Sequence, residues 1–370
     1  MTNRMVINFK IGIICLISIN FLSCKKTSSK ADDSKVVNWQ MKVVSGSDKA
    51  VIDKTHPGAK DNIAGFENGS IIKLADSSYH LLITEMYVDG KGAAGSWEPA
   101  RIGHWESRDQ GNTWERLGTI VGGTNISDDP KRNSWSPMWY RDSVANRWNI
   151  TWRGNGVVFR YASDKTGDEG INGNYSEVSQ IIPPYLGTKK WWDTKYPDSF
   201  SRIFKAANGQ YYAFVGNAFI GNGKVSKAGG DWNWYVGLAT AKSIDGPWYR
   251  DGSKTDPDFD FAENPIVIKE GNTYFAVFDD LHYTRSIGYA YSSDGVHWKR
   301  KNLYLTNAVK WSANHQQVSK DNPVGLVKSV RTPCSLIKEG NDYVILFTAY
   351  NDSSSYYEVG KIVVSLEPVN

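Results

Sequence analysis

The sequence predicts an all-β protein, a five-bladed β-propeller with four-stranded antiparallel blades, and three observations lead to this prediction. A strand–turn–strand pattern recurs five times along the chain, short turn motifs follow within the repeats, and aromatic residues are abundant. The 370 residues include 15 Trp, 20 Tyr and 13 Phe. Aromatic residues favour strands and pack well between sheets. Closing five such sheets into a ring leaves few sheet edges exposed.

Each repeat starts with a polar or acidic residue, continues as an apolar strand that ends in a basic residue, and turns into a second strand. The five segments are residues 67–85, 135–152, 199–216, 263–280 and 332–349. Their aligned basic residues are Lys73, Arg141, Lys205, Lys269 and Lys338, at spacings of 68, 64, 64 and 69 residues. This period accommodates two further strands, as one blade requires. We expect residues 36–44 to form an outer strand that completes the last blade beside residues 359–366.

Turn motifs lie between the later strands of three repeats. Residues 107–114 read S-x-D-x-G-x-T-W, which resembles the Asp-box of sialidases and other propellers. Residues 292–298 and 243–248 resemble shortened versions of this motif. Asp and Gly suit a tight turn, and the Trp begins an outer strand and packs into the blade. We therefore interpret all three motifs as structural.

The N-terminus resembles a bacterial lipoprotein signal. Arg4 and Lys10 precede an apolar run over residues 11–22, which is too short to span a bilayer as a stable helix. Ser23 and Cys24 follow, so we predict a signal peptide over residues 1–23, lipidation of Cys24, a polar tether over 24–35 and the propeller over 36–370. Cleavage without lipidation is the alternative. The implied location is the cell envelope, anchored by lipid in the outer membrane, on either its periplasmic or its surface face.

Composition argues against several classes of protein. The net charge is +4 with scattered basic residues, which disfavours a nucleic-acid partner. Once the signal is removed and Cys24 is lipidated, Cys334 has no cysteine partner, so no disulfide framework is expected. No Cys or His cluster has zinc-ligand spacing. We predict no required cofactor and a monomer whose only contact with a membrane is the lipid anchor.

Acidic residues recur where the innermost strands of a propeller begin, around its axis. The strand starts and the residues one position earlier are Glu67, Trp135, Ser199, Glu263 and Thr332, and Phe66, Ser134, Asp198, Ala262 and Arg331. Three acids and one arginine would therefore face a common centre. Clustered carboxylates are costly without partners. Cleavage of a glycosidic bond needs such a set, one carboxyl group as acid and one as base or nucleophile.

With these residues the chain resembles the five-bladed glycoside hydrolases of family 43 and the related families 32, 62 and 117. The resemblance implies that Glu67 is the catalytic base, Asp198 tunes the pKa of the acid, and Glu263 is the general acid. It also implies an inverting reaction with carboxyl groups about 6.5–9.5 Å apart. Family 43 has Asp where this chain has Glu67. Some relatives hold a structural calcium ion.

Six further residues are candidates for substrate binding. They are Arg331, Trp135, Trp191, Trp192, Asp280 and His315. Arg331 could bind a hydroxyl or carboxylate group, or could simply be the buried ion-pair partner of Glu67 or Glu263. The adjacent tryptophans 191 and 192 either form a platform for a sugar or pack beneath their loop.

Three functions stay open at the level of sequence. The first is an exo-acting glycosidase for plant or algal polysaccharide fragments, because inserts over residues 87–100, 167–195 and 220–231 could wall the funnel into a pocket. The second is a sialidase-like enzyme, which would need more arginines at the axis than Arg331 and Arg202. The third is a non-catalytic glycan-binding propeller at the cell surface.

Overall fold

The structure is a computed structural model in which two compact units, Met1–Asn38 and Trp39–Asn370, are distinguished. It describes residues 37–87, 99–122, 129, 131, 133–154, 157–181, 185–186, 199–220, 232–251, 258–260, 262–280, 286–305, 308–312, 330–351, 353–354 and 356–369. The predicted signal peptide, Cys24 and the tether lie outside the described residues. Within the described part of the chain, no helix has the length and apolar character needed to cross a membrane.

The described residues form β-strands and two short 3-10 helices, which confirms the all-β prediction. The helices are Pro57–Ala59 and Asp168–Asn172. The strands are β1 (Asn38–Ser45), β2 (Asn62–Lys73), β3 (Tyr79–Tyr87), β4 (Ala100–Ser107), β5 (Glu115–Val121), β6 (Ser134–Asp142), β7 (Arg147–Gly154), β8 (Val157–Thr166), β9 (Tyr175–Ile181), β10 (Tyr185–Leu186), β11 (Ser199–Phe200), β12 (Phe204–Lys205), β13 (Tyr211–Ile220), β14 (Trp232–Ala241), β15 (Tyr249–Asp251), β16 (Phe259–Asp260), β17 (Ala262–Glu270), β18 (Thr273–Asp280), β19 (Ser286–Ser292), β20 (Lys299–Tyr304), β21 (Val330–Pro333), β22 (Ile337–Glu339), β23 (Asp342–Asn351) and β24 (Tyr356–Val369).

Four-stranded antiparallel arrays recur in the sheets of the structure. Strands β6 to β9 form one four-stranded sheet in sequence order, and β17 to β20 form another. A seven-stranded sheet has the order β10-β15-β14-β13-β11, with β12 on β13 and β16 on β14. A nine-stranded sheet has the order β21-β23-β24-β2-β3-β4-β5, with β22 on β23. Strand β1 pairs with β24, as predicted for the N-terminal segment.

The nine-stranded sheet consists of two antiparallel arrays that meet at one point. Strands β2 to β5 form the first array, and β21 to β24 with β1 form the second. The parallel pairing of β2 with β24 has a single register pair, Gly65 with Tyr357. Gly65 has a φ of +110°, and a Cβ there would collide with the backbone of Tyr357. Glycine is therefore required for this close approach.

The hydrophobic core lies between neighbouring sheets and takes up most of the aromatic residues. One cluster packs Ile72 and Leu82 of the nine-stranded sheet against Trp139 and Trp152 of the β6–β9 sheet. A second cluster packs β17–β19 against β23 and β24, and Met41 of β1 joins it. Burying such side chains contributes roughly 1.5–3 kcal/mol each. The aromatic content thus serves mainly the packing between sheets.

The three Asp-box-like motifs form turns, as predicted. In the first, Ser107 Oγ accepts a hydrogen bond from the backbone N–H of Gly111, and Asp109 accepts one from that of Thr113. Trp114 is buried and donates from Nε1 to the carbonyl of Gly111. The motif at 292–298 repeats the serine and aspartate bonds, and Trp248 of the third is also buried. The tryptophans pack in cores between sheets.

Candidate active site

The first strands of four arrays carry an irregularity at their starts, where candidate site residues lie. Register shifts fall between Glu67 and Gly69, Trp135 and Met138, Glu263 and Ile266, and Val330 and Pro333. Positive φ angles of 24°, 51° and 50° occur at Asn68, Ser136 and Asn264. A β-bulge bends a strand and redirects a side chain, and bulges are common beside active sites.

Arg331 joins carboxylates from three strands. Its Nη2 donates to Oε1 of Glu67 at 2.8 Å and to Oε2 of Glu263 at 3.3 Å. Its Nε lies 3.3 Å from Oδ2 of Asp279. Glu67 is on β2, Glu263 and Asp279 are on the first hairpin of the β17–β20 sheet, and Arg331 is on β21. The fold thus brings together Glu67, Glu263 and Arg331, three of the residues proposed from sequence.

Glu67 lies deeper than Glu263. It is 2% exposed, and burial raises the pKa of its carboxyl group, although Arg331 and the Thr332 hydroxyl act in the opposite direction. Thr332 Oγ1 lies 3.1 Å from Glu67 Oε1. The second oxygen of Glu67, Oε2, is buried and has no hydrogen-bond partner among the described residues. A carboxyl oxygen in that position can hold a proton or bind a water or substrate hydroxyl.

The guanidinium of Arg331 is held in its charged form. Burial lowers its pKa, but the carboxylates of Glu67, Asp279 and Glu263 outweigh this effect and raise the pKa well above its ordinary value. Its side chain is 13% exposed and that of Glu263 is 11% exposed. These two groups therefore form the accessible part of the cluster, while Glu67 and Asp279 lie beneath.

Asp279 was not among the residues predicted for the site, because the end of the second strand of a blade normally points away from the axis. It is fully buried and lies directly opposite Glu263 in the register of β17 and β18. Counting back from the two-residue turn, where Glu270 pairs with Thr273, would put Asp280 opposite Glu263. The register shift between Glu263 and Ile266 puts Asp279 there instead, and this bulge could not be read from the sequence.

Asparagine side chains connect the strand starts beneath the carboxylates. Asn68 Oδ1 accepts hydrogen bonds from Asn264 Nδ2 at 2.8 Å and from Thr332 Oγ1 at 3.0 Å. Asn68 Nδ2 donates to Ser136 Oγ at 2.8 Å. The side chain of Asn68 thus connects β2 with β6, β17 and β21. This network was not anticipated from the sequence, because its partners are 68 to 264 residues apart.

Trp135 belongs to an aromatic cluster close to the ion pairs. It is partly buried and packs with Met86, Tyr350 and Tyr357. The rings of Tyr350 and Tyr357 meet edge to face at 5.0 Å. Burial raises the pKa of Tyr357, which also senses the charges of Arg331 and Glu67. The location agrees with a contact to substrate, which stays a prediction for Trp135.

Asp280 is placed differently from its neighbour Asp279. It is fully buried and accepts hydrogen bonds from Arg300 at 2.8 Å and Ser286 at 2.8 Å, and also from Asn302. All three partners belong to β19 and β20 of the same sheet. The visible role of Asp280 is to join these strands, and its proposed contact with substrate stays a prediction.

Several predicted site residues lie outside the described part of the chain. They are Asp198, Trp191, Trp192 and His315, and their roles stay predictions. Of the inserts expected to wall the funnel, residues 88–98, 187–195 and 221–231 lie outside the described residues. Residues 167–181 are described and form the second 3-10 helix and strand β9, which completes the β6–β9 sheet. Arg202, the second arginine considered for a sialidase-like site, is described, and burial lowers its pKa.

The described residues contain no group of three or more His, Cys, Asp or Glu side chains placed to hold a metal ion. In the central cluster the carboxylates of Glu67, Glu263 and Asp279 surround a guanidinium instead. A structural calcium ion, which some relatives hold, therefore finds no donor set of this kind among the described residues.

Comparison with known proteins finds similar structures but no match by sequence. No family model matches the sequence, and no curated protein matches it significantly. A family 117 glycoside hydrolase of the marine bacterium Zobellia galactanivorans aligns over 89% of this chain and 90% of its own, at 13% identity and a TM-score of 0.56. A GH43_1 enzyme of Xanthomonas citri aligns over 89% and 91%, at 13% identity and a TM-score of 0.50. A protein of unknown function from Dyadobacter fermentans aligns over 88% and 99%, at 10% identity and a TM-score of 0.51.

At these identities the likeness shows the fold. The expected resemblance to families 43 and 117 is confirmed at that level, since glycoside hydrolases of both families share this architecture over nearly their whole length.

Proposed function

We propose that the protein is a glycoside hydrolase whose reacting groups are carboxylates gathered around Arg331. The observation that carries the proposal is the position of Glu67 and Glu263 on one nitrogen atom, Arg331 Nη2, at 2.8 and 3.3 Å. Glycosidic cleavage requires a pair of carboxyl groups. Here two such groups, from separate sheets, are held close together by Arg331. The fold shared with glycoside hydrolases supports the same conclusion.

The chemistry assigns one role to each glutamate. Glu263, the more accessible of the two, gives its proton to the glycosidic oxygen as the bond from the anomeric carbon breaks. Glu67 takes a proton from the water whose oxygen attacks that carbon. One water is consumed, Glu67 ends protonated and Glu263 ionised, and exchange with solvent restores both. A raised pKa makes Glu67 a stronger base once it is ionised. Asp198, which lies outside the described residues, would tune the pKa of Glu263, as the resemblance implies.

The stereochemical outcome is proposed from the resemblance to family 43, and the carboxyl separation sets a condition on it. The two oxygens on Arg331 Nη2 are separated by at most the two distances together, about 6.1 Å. Inverting enzymes have separations of about 6.5–9.5 Å and retaining enzymes about 5–5.5 Å. We propose inversion, which requires Arg331 to leave room for a water as substrate enters. Proton NMR of the first-formed anomer tests this, and a retained configuration would contradict it.

Substitution of Glu263 tests the enzyme itself. The wild type is screened on aryl glycosides and on neutral oligosaccharides from plant and algal polysaccharides. Glu263→Gln should lower kcat by about 10²–10⁴-fold while the circular dichroism spectrum stays native, because an amide cannot donate the required proton. Glu270→Gln, at the other end of the same strand, is the matched control and should retain full activity.

A second function is favoured by one observation. Glu67 is 2% exposed and paired with Arg331, as a structural ion pair would be. A non-catalytic glycan-binding protein is therefore the alternative. Saturable binding of an oligosaccharide by calorimetry, with no product after prolonged incubation of the wild type, would establish it over the enzyme.

The proposal extends to architecture and location. Five blades follow if the two arrays of the nine-stranded sheet count separately, which their single register pair at Gly65 and Tyr357 supports. Export by the N-terminal signal and lipidation at Cys24 would place the site in the cell envelope, where it could encounter polysaccharide fragments. Labelling cells with a radioactive fatty acid tests the anchor, and Cys24→Ser should abolish the label.

A further inference from the structure

The residue that follows each candidate glutamate has an unusual backbone conformation. Asn68 follows Glu67 with a φ of 24°, and Asn264 follows Glu263 with a φ of 50°. Positive φ is costly for residues with a side chain, and glycine adopts it most readily. Asparagine is tolerated there, but backbone geometry alone would be served better by glycine. Backbone conformation therefore does not explain why Asn68 and Asn264 carry side chains at these positions.

A direct hydrogen bond between the two side-chain amides explains the choice of asparagine. Asn264 Nδ2 donates to Asn68 Oδ1 at 2.8 Å, over a sequence separation of 196 residues. Asn68 is 9% exposed and Asn264 is 2% exposed, so water competes little for this bond. The bond joins β2 of the nine-stranded sheet to β17 of a separate four-stranded sheet.

Two further bonds fix the position of Asn68. Its Nδ2 donates to Ser136 Oγ of the β6–β9 sheet, and its Oδ1 also accepts from Thr332 Oγ1 of β21. Because one amide is anchored on three sides, the second amide has a rigid partner. The peptide bonds next to the two glutamates are thus connected through a short path of side-chain atoms.

We propose that the hydrogen bond between Asn68 and Asn264 sets the separation of Glu67 and Glu263, which makes the two asparagines positioning residues of the site. This inference rests on the proposed function for its catalytic consequence, but the geometric part stands without turnover. Arg331 pulls both carboxylates toward one nitrogen, whereas the amide pair holds the strands that carry them. Reacting groups displaced by about 1 Å can lose about 10²-fold in rate, so such a restraint affects kcat.

The test uses glycine substitutions, which suit the positive φ and remove only the side chain. The variants are Asn68→Gly, Asn264→Gly and the double variant in the full-length protein. Asn146→Gly is the matched control, since Asn146 has a φ of 49° in an exposed turn between β6 and β7. Asn264→Asp is added because it keeps the shape of the side chain. Once ionised, the aspartate has no hydrogen to donate, so a carboxylate oxygen would face Asn68 Oδ1 and the hydrogen bond would be lost.

Titration of the two glutamates reports their separation directly. With carbon-13 label in the glutamate carboxyl groups, NMR follows both titrations, and Glu67→Gln and Glu263→Gln assign the signals. Moving the two groups apart weakens their mutual effect, so the apparent pKa values should shift by about half a unit or more in the variants. The double variant should shift no further than Asn68→Gly, because that single variant already removes the bond between the two amides together with those to Ser136 and Thr332. Asn146→Gly should leave both titrations unchanged.

Kinetics separate this inference from the proposed function. If the protein is a glycosidase, each variant should lose about 10- to 100-fold in kcat with little change in KM. Shifted titrations with no turnover in any protein would retain the inference and refute the enzyme. A lowered melting temperature with titrations and kcat at wild-type values would overturn the inference, because the asparagines would then serve stability only. If the glycine variants fail to fold, the same readouts on Asn264→Asp decide between these outcomes.

Discussion

Arg331 donates a 2.8 Å hydrogen bond to Glu67, although 264 residues separate them in sequence. The pair connects the two arrays of the nine-stranded sheet, at a point where Glu67 is almost inaccessible to solvent. A buried carboxylate without its cation is costly, whereas the cation here also contacts Glu263 and Asp279. The stability of the site and its chemistry therefore depend on the same guanidinium.

Removing that guanidinium should destabilise the fold. Arg331→Met keeps the length of the side chain but leaves Glu67 and Asp279 buried without their cation. We expect a loss of about 3–5 kcal/mol in the free energy of unfolding at pH 7, measured by urea denaturation. Arg108→Met, at a side chain 73% exposed and paired with Glu106, should cost less than about 1 kcal/mol. Equal losses in both variants would contradict the role assigned to Arg331.

The pH dependence of stability should reveal the raised pKa of Glu67. The ordinary value is 4.5, and burial holds the native-state pKa above it. Between those two values the native state retains a proton that the unfolded chain has released, so this group's contribution to stability is present below pH 4.5 and is lost as pH rises. Glu67→Gln cannot titrate. The free energy of unfolding of this variant should therefore increase relative to that of the wild type as pH rises above 4.5. A relative decrease would show that the effect of Arg331 on the pKa of Glu67 outweighs that of burial.

Two buried histidines should make the protein sensitive to acid. His80 Nδ1 and His104 Nε2 lie 3.0 Å apart and share a hydrogen bond. Burial lowers the pKa of His80 to about 4 and that of His104 to about 3. The unfolded chain binds protons near pH 6.5 and the native state does not, so stability falls as pH decreases from about 6.5 toward 4.

Glutamine substitutions check this acid sensitivity. Each pH unit in that window costs at most ~1.4 kcal/mol per histidine, and less where solvent reaches the ring. The His80→Gln/His104→Gln variant should therefore show a flatter loss of stability between pH 7 and 4 than the wild type. Val144→Gln, at a non-titrating side chain that is 93% exposed, serves as control and should leave the slope as it is. An unchanged slope in the double variant would assign the acid sensitivity to other groups.

Gly103 should be intolerant of any side chain. Glu85 is buried and accepts hydrogen bonds from Arg101, Arg116 and Trp105, and its carboxylate occupies the space where a Cβ of Gly103 would lie. Gly103→Ala must displace that carboxylate, so we expect a loss of about 1–3 kcal/mol in thermal or urea unfolding. The control is Gly118→Ala on the adjacent strand, where a Cβ meets nothing within 4 Å. It should be neutral, and a neutral Gly103→Ala would show that Glu85 is free to move.

Local patterns predicted much of the fold because their causes are local. The aligned basic residues lie on first strands, and the turns Gly271-Asn272 and Gly340-Asn341 join hairpins whose register pairs flank them, as expected for such dipeptides. The Asp-box-like turns follow from hydrogen bonds within eight residues. These features need no information from other parts of the chain, so a sequence suffices to find them.

The contacts of the candidate site, in contrast, could not be predicted from local sequence. The repeat placed Glu67, Glu263 and Arg331 at strand starts, but it gave no distance between them and did not identify Asp279.

The sequence by itself determined the all-β class, the repeat, the turns and a set of acidic residues at equivalent positions, because hydrophobic periodicity and turn chemistry act over a few residues. Only the tertiary structure decided that Arg331 lies between Glu67 and Glu263, that Asp279 joins them, and that Asn68 connects four strands. Contacts over 68 to 264 residues depend on how sheets pack and where bulges turn a side chain, and those choices minimise the free energy of the whole chain rather than of any segment.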